Sequence, residues 1–184
     1  MAISMDRTEN RTSFPGVSFI YAVIILFLGA AAVNAQAIVY DIAPPPLRTV
    51  SKEEMAGLEA ARDVKKRTQL ALELMSARLK QAETLIAQDQ LDAMYKELGG
   101  FHGLMDNTLD YLDKSDQDRG KVLNNYKRFE IGLRQFRPRL EMIRRDIPVQ
   151  YEPYVQNLIR YVREARAKAV EPLFGDSVVP RTRS

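Results

Sequence analysis

The residues of this chain that could do chemistry are carboxylates and arginines, with one histidine and no cysteine. The most suggestive stretch is DKSDQDRGK, residues 113–121. Its aspartates invite comparison with a calcium loop, and the comparison fails in both registers. Counting from Asp113 puts Asp118 where such a loop needs glycine and Asn124 where it needs the bidentate glutamate. Counting from Asp116 puts Gly120 at a ligand position and Lys127 at the last one. Ser115-Asp116-Gln117-Asp118 also fits a helix cap with an acidic first turn. Yet the apolar phase set by Val122 extends backward through Leu112, Thr108, Met105 and Phe101. The stretch therefore reads as a polar segment within or between nearly collinear helices.

Other carboxylates gather around Gly99-Gly100: Asp89, Asp92, Glu97, Asp106 and Asp110, with His102 beside them. Asp106/Asp110 and Glu59/Asp63 have the i, i+4 spacing that puts two acids on one helix face. Di-metal helical sites also need Glu-x-x-His pairs, and this chain has none. A solvated acidic face is the reading that remains, and His102 is expected to be an exposed turn residue. Neither a metal nor a cofactor is expected.

Charge changes sign along the second half. Residues 101–118 hold five aspartates against Lys114, and residues 119–147 hold nine Lys/Arg against three acids. Arg134, Arg137, Arg139, Arg144 and Arg145 could make forked contacts to an anionic partner, a lipid headgroup or an acidic protein. They spread over most of the positions off the seam, the pattern of a solvated surface.

Composition narrows the classes. Without cysteine there is no disulfide framework, thiol nucleophile or thiolate metal site, and a single histidine removes most zinc sites and acid–base dyads. A net charge of +3 over 184 residues gives no reason to expect nucleic acid as a partner. Residues 17–33, VSFIYAVIILFLGAAAV, form an uncharged apolar run followed by Val33-Asn34-Ala35-Gln36-Ala37. Small-x-small steps of this kind fit signal peptidase, so residues 1–35 read as a signal peptide cut after Ala35 or Ala37. The run is also near the length that spans a bilayer, which makes an uncleaved N-terminal anchor the alternative. Either way the rest of the chain is placed outside the cytoplasm. An exported chain with no cysteine and no Asn-x-Ser/Thr after the run points to a bacterial periplasm or cell envelope.

Several elements must position these side chains. Residues 36–50 contain Pro44-Pro45-Pro46 and read as an extended linker. Ser51 and Glu54 form a capping box that opens a helix. A 3–4 spacing then runs Leu58, Ala61, Lys65, Thr68, Leu72, Met75, Leu79, Ala82, Ile86, Asp89 and Ala93, predicting one helix that stops at Gly99-Gly100. The second seam is Val122, Tyr126, Phe129, Leu133, Phe136, Leu140, Ile143 and Ile147, with Pro138 on the opposite face as a kink. A last helix begins at Glu152-Pro153 and ends at Pro172.

The expected fold is all-α: a long, coiled-coil-like antiparallel α-hairpin with a shorter third helix on its open end. The bundle domain would span 51–172 and a polar tail 173–184. Leu70, Leu74, Leu85, Leu91, Leu104, Leu109 and Tyr111 lie off the seam, and a second copy of the chain is the simplest cover for them. No catalytic constellation is apparent. The expected function is a non-enzymatic interaction or scaffold protein with a protein partner. The alternatives are a bundle binding a small ligand or divalent cation, and a peripheral membrane protein using the arginine-rich helix. Membrane association could also come through the N-terminal segment.

Overall fold

The computed structural model describes residues 41–174, all within the unit Tyr40–Ser184. Residues 1–40, which include the expected signal peptide, and the tail from 175 onward lie outside the described residues. The described chain contains no strand and six helical segments. They are α1 Lys52–Ala60, α2 Val64–Ala87, α3 Leu91–Asp113, α4 Arg119–Arg134, α5 Phe136–Asp146 and α6 Glu152–Phe174.

Local chemistry explains the breaks. The Ser51–Glu54 capping box is formed in both directions, as expected. The single helix predicted from Ser51 to the glycines is instead interrupted twice. Asp63 turns its carboxylate onto the Lys66 amide and restarts the chain as α2, because a short acidic side chain competes with the helix ladder for local donors. The chain reverses at residues 88–90, where Asp89 adopts φ 57°, a conformation that Asp tolerates better than most residues. Gly99 and Gly100 do not end a helix; they lie buried inside α3.

A second reversal occupies residues 114–118, so the expectation of nearly collinear helices there is overturned. Asp118 caps α4 by accepting from the Lys121 amide at 3.0 Å. Gln117 fastens the loop by donating to the Arg62 carbonyl at 2.8 Å. Direction follows from distant pairs. Gln117 meets Val64 at the start of α2, while Arg139 meets Glu83 near its end, so α4 and α5 run parallel to α2. Tyr151 reaches Asp92 and Lys168 reaches Asp113, so α6 runs parallel to α3. The result is an antiparallel bundle of four columns, with α4 and α5 stacked as one. The last helix is not short: α6 and α3 each have 23 residues, and α6 continues through Pro172 to Phe174.

Pro138 acts where its missing N–H predicts. It cannot donate to the Arg134 carbonyl, and α4 ends at Arg134, with Gln135 still right-handed at φ −72° and ψ −22°. The second seam is buried from Val122 through Ile143, and Leu133 is fully covered while Ile131 is 46% exposed. The off-seam residues assigned to a second copy are covered within the chain: Leu85, Leu104 and Leu109 are buried, and Leu70, Leu74, Leu91 and Tyr111 pack against the core.

Residues 41–51 are not a free spacer. They form an extended strap against α3, with the Ala43 amide donating to the Gln150 carbonyl at 3.1 Å. The glycines of α3 make this approach feasible. A Cβ on Gly99 would sit 2.3 Å from the Leu47 carbonyl oxygen, and one on Gly103 would sit 2.8 Å from that of Arg48.

Candidate functional site

The bundle neutralises much of its own charge. Arg78 donates to Glu54 from two nitrogens and to Glu97 from a third, at 2.7–2.9 Å, tying α1, α2 and α3 together. Burial works against the Glu54 carboxylate, but Arg78 and the Ser51 amide hold its pKa below the usual carboxylate range. Glu130 is almost wholly covered; Arg134 and Arg166 both grip it, and these bonds depress its pKa against the opposing effect of burial.

The arginine-rich stretch accordingly divides. Arg134 is committed to Glu130, Arg139 forks onto Glu83 and also reaches Ser76, and Arg144 bridges Glu141 and Glu152. Arg137 and Arg145 are exposed and make no ion pair among the described residues. The five do not converge on one surface.

The acidic cluster is also dispersed. Asp92 accepts from Tyr151, Glu97 from Arg78, and Asp106 from Arg48 and Tyr161, while Asp110 lies beside Lys114. Among the described residues no three His, Cys, Asp or Glu side chains stand together as metal ligands. In DKSDQDRGK, Asp113 holds Tyr126 and Lys168 while Asp118 caps α4, so these carboxylates do not face a common point.

His102 is buried, contrary to the expected exposed turn residue, because α3 continues through the glycines beside it. Its Nδ1 lies 3.2 Å from the Tyr154 hydroxyl, its ring lies 4.4 Å from that of Tyr161, and Nε2 has no partner among the described residues. Burial lowers its pKa to about 4, with Asp106 opposing and Arg48 assisting. Burial also raises the hydroxyl pKa of Tyr154 well above its ordinary value.

Two of the open clefts on the described surface are lined by charged side chains at the strap and between α2 and α4. One, of about 520 Å³, lies beside the prolines of the strap; its Arg78 is neutralised and its Asp92 occupied. The other, of about 550 Å³, lies between α2 and α4. Lys65, Lys121, Lys127 and Arg128 line it, and none of them makes an ion pair among the described residues. Asp63 is the acid on its rim, already engaged as the α2 cap. Buried Asn125 donates to the Lys121 carbonyl and accepts from Arg128, which fixes that guanidinium at the cleft. Of the arrangements in the described chain, this one has the charge that would suit an anionic group best. Compared with known proteins, the chain matches no family model, no curated sequence and no solved structure.

Sequence reasoning passed over this cleft although a signal was present. Lys65 stood at a position of the predicted seam, and a lysine there without an acidic partner is a local contradiction. The break at Asp63 places Val64 inward in the turn before Thr68, which keeps its predicted inward place, and Lys65 turns out.

Proposed function

We propose that the protein is exported to a bacterial cell envelope and works there as a non-catalytic helical-bundle interaction module that engages a protein partner. The observation that carries the reading is the α2–α4 cleft, lined by four cations without ion pairs among the described residues, while Arg78, Arg134 and Arg139 are each matched to a carboxylate. Binding is favoured over catalysis because Asp92, Glu97, Asp106 and the Tyr151 and Tyr161 hydroxyls are engaged in contacts within the bundle. The apolar run at residues 17–33 and the small-x-small steps after it support export. Among the described residues no helix is long and apolar enough to cross a membrane.

Two measurements test the reading. Intact mass of the protein released in soluble form should show a start at Gln36 or Ile38; Met1 retained on that soluble species would remove export. A photo-crosslinking side chain at Asn124, in the cleft, should yield a discrete protein adduct in the envelope. The same group at exposed Arg145 should not. Equal or absent labelling at the two positions would argue against partner engagement through this face.

A further inference from the structure

We infer that the α2–α4 groove binds an acidic, amphipathic segment of a protein partner, with the partner's carboxylates against Lys65, Lys121, Lys127 and Arg128 and its apolar side chains over Ile131. This inference rests on the interaction-module reading and names the partner's chemistry. The groove is longer than one cleft. A second recess of about 340 Å³ shares Arg128 and Ile131 and continues to Gln135, so the trough follows α4 for about 20 Å. That length suits a helical segment of about four turns.

The floor and the rim ask for different groups. Ile131 stands 46% exposed in the floor, and Gly132 leaves the room that the Leu72 side chain fills, since a Cβ there would sit 2.5 Å from it. The rim is cationic at the Lys121 end, whereas Glu73 borders the other end. The segment should therefore carry its acids toward the Lys121 end. Arg128, held by Asn125, offers a fixed fork for one carboxylate, and the lysines add point charges around it. An apolar contact alone would not select among partners; the surrounding cations supply orientation and rate.

Other occupants fit less well. The chain's own end, residues 175–184, contains Asp176 against Arg181 and Arg183, so its charge has the wrong sign for a cationic groove. An anionic membrane presents an extended surface, whereas these cations converge into a recess between two helices.

The test uses the full chain and a fluorescein-labelled amphipathic helical peptide of about 14 residues, with Glu on one face and Leu on the other. Fluorescence anisotropy should show saturable binding that weakens as salt rises. K121E/K127E should weaken it by about tenfold or more, whereas R137E/R145E should leave it unchanged. All four side chains are exposed, so matching melting curves separate lost binding from lost fold. A version of the peptide with Gln for Glu should bind at least about tenfold more weakly.

Absence of saturable binding, or equal loss in the two charge-reversed pairs, would overturn the inference. It would also fall if phosphatidylglycerol vesicles, and not the peptide, were bound in a K121E/K127E-sensitive way, or if the full chain self-associated through those lysines. A cleft-specific crosslink at Asn124 without peptide binding would sink the acidic-segment inference and leave the interaction-module reading standing.

Discussion

The α3–α6 flank and the α2–α4 flank of this bundle are built on equally regular seams, yet they meet solvent differently. On the first, the strap lies across Gly99 and Gly103, and Arg48, Asp106, Tyr161, Tyr154 and His102 form a layered contact beneath it. On the second, cationic side chains stand around a trough with a half-exposed isoleucine in its floor. A seam fixes only which stripe of each helix faces the core. What happens beyond the stripe depends on whether small residues admit another piece of chain or charged ones keep it out.

The largest expected difference contrasts the core with the trough floor. Leu133 and Ile131 lie two residues apart on α4, one fully buried and one half-exposed. Leu133→Ala should cost about 2–5 kcal/mol, through lost burial and an incompletely filled cavity. Ile131→Ala should cost less than about 1 kcal/mol, since its methyl groups already touch water. Chemical denaturation of both variants checks this. Similar costs would mean that α4 is rotated from the orientation described, and the groove would lose its floor.

These two residues also show how far the sequence was legible. The buried run Val122 to Ile143, the Ser51–Glu54 box and the kink at Pro138 are decided by neighbours within a few residues, so local rules sufficed for them. Gly99 and Gly100 were not decidable locally. Glycine both ends helices and lets another backbone approach, and the selecting partner here is Leu47, about fifty residues away in sequence. With the glycines as the turn, the helix that follows would begin only at Phe101, and a reversal near Asp116 would leave it about 15 residues long against neighbours of more than 20. With α3 starting at Leu91, the columns match in length and the reversal fits. Apolar phase crossed residues 113–121 unbroken because each of two antiparallel helices has its own inward stripe, not because one helix continues. His102 was misplaced for the same reason as the glycines, since its cover comes from Tyr154 and Tyr161 on α6.

A pH experiment probes the strap flank next. His102 is the sole histidine, with an ordinary pKa of 6.5 lowered to about 4 in the folded chain, chiefly by burial. Between those values the unfolded chain takes up a proton that the folded chain refuses. Stability from the buried neutral ring is thus complete above pH 6.5 and declines as pH falls toward 4, by at most about 3 kcal/mol. Glu54, Glu130 and Asp113 have lowered pKa values, so their contribution is complete above the ordinary carboxylate pKa and is lost as pH falls from there through the lowered values. Denaturation at pH 7 and pH 5 should show the loss in the parent and not in His102→Gln. A parent with equal stability at both values would place His102 in water.

Glycine substitutions compare the flanks directly. Gly99→Ala drives a methyl group into the Leu47 carbonyl, which is backbone and cannot turn aside. The expected cost is about 1–3 kcal/mol, with faster protease cleavage in residues 41–50 as the strap lifts. Gly132→Ala meets only the Leu72 side chain, which can change rotamer on the open flank, and should cost less. If Gly99→Ala were the milder change and left cleavage unaltered, the strap would not be seated on α3.

The smallest effect has the opposite sign. Gly57 lies inside α1, and a Cβ there would meet nothing closer than the Leu70 Cδ2 at 3.7 Å, an ordinary contact. Gly57→Ala should therefore stabilise by about 0.5–1 kcal/mol, because alanine loses less backbone freedom on entering a helix. In a chain of this size that corresponds to a melting temperature higher by about 1–4 °C. The gain appears only if α1 is a helix in the folded state and melts with the bundle. Arg78 links α1 to the columns, since it grips Glu54 of α1 and Glu97 of α3 from its place on α2. A gain in the parent that disappears when Arg78 is replaced by Met would show that this arginine holds α1 to the columns. No gain in the parent would show that α1 frays independently, and the closed flank would then be the strap and α3 alone.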